Sequence, residues 1–205
     1  MVFQEVELKF RATEDQMKVL EKFLDEEATF VDEVHHEEYY LDKSSDPFVT
    51  KNVQGYMDAH QYLRVRFSDG QALVCFKDWH TDEEASKLSD HVVHDYCQEY
   101  ETQVIDGRVM LEFFKALWYD RSTLVDKKRR VYHVDDLEVV IDDVKNLGVF
   151  VEVEAQWEYE SVDDAKADIV NFLKGLWLDR IDKQQRGYVS MLWNMEVNFG
   201  EEMLL

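Results

Sequence analysis

Apolar and ionisable side chains alternate along one segment after another of this chain. Over Glu5-Val6-Glu7-Leu8-Lys9-Phe10-Arg11 a period of two puts Glu5, Glu7, Lys9 and Arg11 on one strand face and Val6, Leu8 and Phe10 on the other. The alternation returns from Leu63 to Phe67, crosses a Ser68-Asp69-Gly70 turn and resumes from Gln71 to Asp78 as a hairpin partner. Further strands are predicted over 94–104, 124–134, 137–144 and 149–158. Helical spacing breaks in at 14–27, where Thr13 and Gln16 form a capping box and Met17, Leu20, Phe23 and Leu24 share a face. A second helix starts at Asp106, with Val109, Met110, Phe113, Phe114 and Leu117 apolar. A third follows Ser161 and Asp164, with Ala165, Ile169, Phe172 and Leu173 inward, and a short last helix includes Tyr188, Met191 and Leu192. Residues 28–42 read as extended, 43–60 as a long irregular loop around Pro47 and Gly55, and 79–92 as an acidic excursion.

A sheet with one face apolar and the other ionisable throughout needs that second face to enclose water, ions or ligand. A closed or nearly closed antiparallel barrel meets the requirement, with charges in the lumen and apolar side chains outside under helices, an α+β fold. At 205 residues, 45% of them hydrophobic, and with Pro 1 and Gly 7, the expectation is one domain spanning 1–205. The net charge of −22 argues against a nucleic-acid or anionic-membrane partner, yet a local basic cluster with divalent cations can still hold a small polyanion. Two cysteines, no apolar run of membrane length and no leader-like start give the expectation of a cytoplasmic protein, a monomer or homodimer.

The proposed lumen collects the acids Glu5, Glu7, Glu99, Glu101, Asp142, Glu152 and Glu154. Its bases are Lys9, Arg11, Arg64, Arg66, Lys77, Lys128 and Arg130. Within Lys127-Lys128-Arg129-Arg130, alternation is taken to send Lys128 and Arg130 inward and Lys127 and Arg129 out. Glu138 shares the Asp142 face but is placed at a rim, and Arg11 at the mouth. Carboxylates suit Mg²⁺ or Mn²⁺, and Arg and Lys suit phosphate oxygens, so the mixture points to a metal–polyphosphate complex. His80, His91, His94, Cys75 and Cys97 match no compact zinc spacing. Tyr39, Tyr40, Trp79, Trp118 and Trp157 read as packing residues.

Glu5-x-Glu7-x-Lys9 resembles the ExExK signature of the CYTH superfamily, the triphosphate tunnel metalloenzymes. Other blocks follow in the family's order. Arg64-x-Arg66 resembles its RxR strand, Lys77 its following lysine, Glu99-Tyr100-Glu101 its ExE strand and Lys128-x-Arg130 its KxR strand. Ile141-Asp142 and Phe150-Val151-Glu152-Val153-Glu154 are similar to its late acidic block, and Tyr188 with Met191-Leu192 to its closing segment. The resemblance implies an eight-stranded antiparallel barrel forming a tunnel, helices outside, and a Mg²⁺- or Mn²⁺-dependent enzyme. By the same resemblance Glu5, Glu7 and Glu154 are metal ligands supported by Asp142 or Glu152. Lys9, Arg64, Arg66, Lys77, Lys128 and Arg130 grip phosphate; Glu7, Lys9 and Glu154 carry the chemistry; Glu99 and Glu101 support. The implied substrates are tripolyphosphate, ATP or thiamine triphosphate. The segment before the first strand, Met1-Val2-Phe3-Gln4, lacks the His-Phe-x-Gly usual in class IV adenylate cyclases. Hydrolysis therefore leads over cyclisation of ATP to cyclic AMP, and a non-catalytic triphosphate sensor stands as a third reading.

Overall fold

The computed structural model describes residues 6–81, 94–156, 159 and 161–205. In chain order the elements are β1 (Glu7–Arg11), α1 (Glu14–Glu27), β2 (Thr29–Asp42), β3 (Val49–Lys51), β4 (Met57–Ala59), β5 (Gln61–Ser68), β6 (Gln71–Thr81) and β7 (His94–Val104). Then come α2 (Gly107–Ala116), β8 (Asp120–Val134), β9 (Leu137–Val144), β10 (Gly148–Ala155), α3 (Val162–Gly175), β11 (Arg180–Gln184), α4 (Tyr188–Trp193) and β12 (Gly200–Leu204). The chain divides into two compact units. One comprises Met1–His35, Lys127–Met191 and Glu196–Leu205; the other comprises His36–Asp126 and Leu192–Met195.

In the first unit antiparallel ladders join β12 to β11, β11 to β1, β1 to β10, β10 to β9 and β9 to β8. Leu8, Phe10, Val139, Ile141, Val151 and Val153 form a fully apolar face. It is covered by Leu20 and Leu24 of α1 and by Ile169 and Leu173 of α3. Phe23 and Phe172 meet edge to face at 5.6 Å where the two helices pack. Each such buried side chain stabilises the fold by roughly 1.5–3 kcal/mol relative to exposure. Thr13 and Gln16 make the expected reciprocal capping box on α1, and the Ser161 hydroxyl accepts from the Asp164 amide to start α3.

In the second unit β2, β5, β6 and β7 pair in that order. Leu41, Leu63 and Val65 make the core, with Phe67, Val74 and Phe76 packed beside Leu111 and Phe114 of α2. The β5–β6 hairpin turns on Asp69 and Gly70, both at positive φ (45° and 78°), the geometry a two-residue turn needs to match strand twist. Asp106 caps α2 through the Val109 amide at 3.0 Å. A Cβ at Gly107 would stand 2.5 Å from the Ala72 Cβ and 2.6 Å from the Phe67 ring, so only glycine allows α2 this close to the sheet.

The expected eight-stranded closed barrel is corrected. The α+β class is right, but among the described residues there are four helices, and the large antiparallel sheet has ten strands and does not close into a barrel. Among the described residues no ladder joins β7 to β12. Part of the predicted 43–60 loop pairs as the β3–β4 ribbon, and β11 and β12 add strands that the sequence did not announce. These are short segments of three to five residues with little apolar alternation. Residues 82–93 of the predicted acidic excursion lie outside the described residues, and β6 runs on to Thr81. Among the described residues no helix is long and apolar enough to cross a membrane.

Substituting Gly107→Ala should lower stability by about 1–3 kcal/mol, since the added methyl must displace packed neighbours. Urea unfolding checks this; an unchanged midpoint would contradict the close approach of α2.

Candidate functional site

The ionisable face of the first unit is built by strand register. The Ala155 amide donates to the Val6 carbonyl at 3.0 Å, and the Ala12 amide to the Val149 carbonyl at 3.1 Å. Even-numbered β1 residues therefore occupy hydrogen-bonded pairs. Glu7 opposite Glu154, Lys9 opposite Glu152 and Arg11 opposite Phe150 occupy the closer, non-hydrogen-bonded pairs. Continued through β10, β9 and β8, the register lays three rows across one face. They are Arg11-Phe150-Asp142-Arg129, then Lys9-Glu152-Val140-Val131, then Glu7-Glu154-Glu138-His133.

Asp142 anchors this face. It is 0% exposed, and its carboxylate accepts from Arg129 Nε at 2.8 Å, Arg129 Nη2 at 2.6 Å, Lys127 Nζ at 3.2 Å and the Tyr188 hydroxyl at 2.9 Å. Burial pushes its pKa up, but the Arg129 hydrogen bonds and the Lys127 charge outweigh burial and hold it at about 2. Arg129 is half-buried, and burial works against its charge, but Asp142 and then Glu152 raise its pKa overall. Burial first, then Glu152 and Asp142, push the Tyr188 phenol well above its ordinary value, so it remains a donor. Glu152 accepts from Arg129 at 2.9 Å and Tyr188 at 3.2 Å and lies 3.8 Å from Lys9. Lys9 and Lys127 each stand 5.0 Å from the Tyr188 ring centre.

The second unit carries its own ionisable face, with Glu38, Tyr40, Tyr62, Arg64, Arg66, Cys75, Lys77, Glu99 and Glu101 on one side of β2, β5, β6 and β7. Glu38, 3% exposed, pairs with Arg66 at 2.9 Å and Arg64 at 3.3 Å. Burial works against the Arg64 charge, but Tyr40 and Glu38 raise its pKa overall, while burial pushes the Tyr40 phenol up. Arg64 Nε is buried without a hydrogen-bond partner among the described residues. Lys77 pairs with Glu99 at 3.0 Å, and the Cys75 thiol donates to the same carboxylate at 3.1 Å.

The predicted residues are thus divided. In the first unit Glu7, Lys9, Asp142, Glu152 and Glu154 share a face; in the second Arg64, Arg66, Lys77, Glu99 and Glu101 share another. Glu5 lies outside the described residues. Lys128 and Arg130 do not join the acids, because the basic run sits one residue out of the expected phase. Lys127 and Arg129 face Asp142; Lys128 and Arg130 share the side of Tyr132, Val134 and Ile141. There they line an open cavity of about 620 Å³ with α1 residues, and Arg130 pairs with Glu21 at 2.6 Å. The parity of Tyr132 and Val134, both apolar, was the available signal. Sequence reasoning also missed Glu38 and Tyr188 as network members and left out Glu138, which lies in the third row opposite Glu154. Of the histidine–cysteine set, only the side chain of Cys75 lies within the described residues.

Hard oxygen donors for a divalent cation are present. In the third row Glu138, Glu154 and Glu7 occupy neighbouring strands, with His133 3.3 Å from Glu138. Among the described residues, the three-donor set with atoms within 4.8 Å of one another is Cys75, Glu99 and Glu101. Burial and the bond to Glu99 push the Cys75 thiol up to about 11, so it stands as a protonated donor and a poor ligand.

The family model described as CYTH domain matches residues 4–188. A presumed adenylate cyclase of Methanocaldococcus jannaschii is 26% identical over 188 residues, 91% of this chain and 97% of that protein. Among solved structures, a Pyrococcus horikoshii OT3 protein superposes with a TM-score of 0.63 at 22% identity, covering 91% of this chain and 98% of its own. A presumed adenylate cyclase from Vibrio parahaemolyticus gives a TM-score of 0.60 at 18% identity, covering 92% and 97%. At those identities the two structures show a shared fold.

Removing Arg129 leaves buried Asp142 with only Lys127 and Tyr188, so Arg129→Met should cost about 1.5–3 kcal/mol, whereas Lys128→Met, at an exposed position, should stay within about 0.5 kcal/mol. Denaturant titration of both checks the phase of β8, and the reverse ranking would contradict it. Because the Asp142 pKa falls on folding, its contribution is complete above the unfolded value of about 3.9 and is lost as pH drops toward 2. Acid unfolding should therefore steepen in that window, and Asp142→Asn should flatten it.

Proposed function

Since the chain belongs to the CYTH domain family, matched over residues 4–188, we propose that it is a divalent-metal-dependent enzyme acting on a triphosphate, with hydrolysis of an inorganic or organic triphosphate as its reaction. The observation that carries this reading is the juxtaposition of the Glu7-Glu154-Glu138 row with the row containing Lys9 and Glu152. Carboxylates for a hard cation and a cation for phosphate oxygen thereby occupy successive positions on one face.

In this reading Glu7 and Glu154 hold Mg²⁺ or Mn²⁺, with Glu138 beside them and Glu5 contributing from the start of the chain. When bound, the metal neutralises phosphate oxygens and lowers the pKa of an attacking water. Lys9 meets the phosphate charge that develops as diphosphate leaves. Asp142 and Glu152, saturated by Arg129, Lys127 and Tyr188, position the cationic side chains and are support rather than ligands. Arg64, Arg66 and Lys77 bind phosphate oxygens, a role supported by the unpartnered Arg64 Nε. Lys127 and Arg129 take the place assigned on sequence to Lys128 and Arg130. The proposed organisation is a single catalytic domain in the cytoplasm with a small-molecule triphosphate as its partner.

A second reading, cyclisation of ATP to cyclic AMP and pyrophosphate, is favoured by the name of the relative that matches 91% of the chain. Tripolyphosphate, ATP and thiamine triphosphate, offered with Mg²⁺ or Mn²⁺ and scored for phosphate, pyrophosphate and cyclic AMP, separate the two. Release of orthophosphate supports hydrolysis, pyrophosphate with cyclic AMP overturns it, and tight binding without turnover indicates a sensor. Glu7→Gln should reduce turnover at least about a hundredfold at unchanged thermal stability, as expected for loss of a metal-held charge. Normal activity in that variant would refute the metal role.

A further inference from the structure

One part of the second unit's ionisable face is aromatic and is not used by the phosphate reading. The Tyr62 and Trp193 rings lie parallel, 4° apart in plane with centroids 6.1 Å apart. Tyr62 meets Tyr40 edge to face at 6.1 Å, and the Tyr40 hydroxyl reaches Arg64 at 3.5 Å. The next residue holds Trp193 in place. Asn194 Oδ1 accepts from the Met57 amide at 2.7 Å, and Asn194 Nδ2 donates to the Met57 carbonyl at 2.8 Å. This reciprocal pair fixes the chain beside the indole to β4.

The indole nonetheless keeps its only polar atom unused. Trp193 Nε1 is buried and has no hydrogen-bond partner among the described residues. Buried N–H groups are nearly always satisfied, and leaving one unmade costs about 1–3 kcal/mol. Arg64 Nε, at the other end of the same run of rings, is in the same condition. Two buried donors on one contiguous aromatic and cationic surface suit a ligand with an acceptor-bearing ring at one end and phosphate oxygens at the other.

We infer that Trp193 and Tyr62 receive the planar organic group of the substrate, with Trp193 Nε1 donating to an acceptor on that ring. The inference rests on the triphosphate reading and narrows its substrate class to heteroaromatic triphosphates, nucleoside triphosphates among them, over bare tripolyphosphate. Tyr62 supplies apolar surface, Arg64 takes the neighbouring phosphate, and the Asn194–Met57 pair positions the indole.

Binding of methylene-bridged ATP and methylene-bridged tripolyphosphate, measured by calorimetry with Mg²⁺, tests this in the wild type and in Trp193→Phe, which keeps a ring and removes the donor. The ratio of the two Kd values should shift about tenfold against the ATP analogue, the loss expected of one good hydrogen bond. Trp177→Phe, at an exposed indole elsewhere, is the control and should leave the ratio unchanged. A general loss of folding would weaken both ligands together, and a melting curve identifies it. An unchanged ratio in a Trp193→Phe protein that binds both ligands overturns this inference alone, with Trp193 Nε1 serving only a structural water. A wild type that binds neither ligand overturns the triphosphate reading and this inference with it.

Discussion

The fully buried carboxylate of Asp142 constrains the first unit more than any other group. An ionised carboxylate without solvent is costly unless several donors converge on it. Here Arg129 reaches it with two nitrogens, Lys127 with its ammonium and Tyr188 with its hydroxyl. These contacts satisfy the carboxylate and tie α4 to the sheet through Tyr188. Shifting β8 by one residue would bring Lys128 and Arg130 to the acids instead, but it would turn Tyr132 and Val134 out of the core. The register is therefore held by Tyr132 and Val134 in the core, and in that register Lys127 and Arg129 satisfy Asp142.

The second unit solves the same problem with the same arrangement of signs. There a single buried acid, Glu38, holds two arginines, and their remaining donors stay on the ionisable face. Apolar residues of the opposite parity pack under α2. Each unit thus uses a helix-covered apolar face to fix a pleat whose other face keeps charged groups in place. Pre-positioned charge is what phosphoryl chemistry asks of a protein, since the reaction depends on orientation and charge neutralisation.

Much of this was legible in the sequence because side chains alternate with a period of two over β1 and β5, and over β9 and β10 apart from positions such as Val140 and Phe150, which fall on the ionisable face. Thr13, Asp106 and Ser161 announced their helices by side-chain chemistry. The phase of β8 was not legible from Lys127 to Arg130 alone, because four consecutive cations carry no alternation. It became readable only four residues later, at Tyr132 and Val134. Glu38 was hidden for a similar reason: His35-His36-Glu37-Glu38-Tyr39-Tyr40 is polar at both parities, and only pairing with Arg66 gives Glu38 its face. The β3–β4 ribbon and the β11–β12 edge, being short and polar, owe their form to partners distant in sequence. Barrel closure was inferred from the need to shelter charge, but within each unit the buried charges are satisfied by one another without it.

The row Glu7-Glu154-Glu138 is proposed as the metal-holding end of the face that Asp142 anchors. Manganese anomalous scattering from crystals grown with Mn²⁺ and tripolyphosphate tests it most directly. The account predicts a peak bounded by Glu7 and Glu154, with phosphate density beside Lys9. A peak at Glu99 and Glu101 instead, or bound tripolyphosphate with no manganese near Glu7, would contradict it.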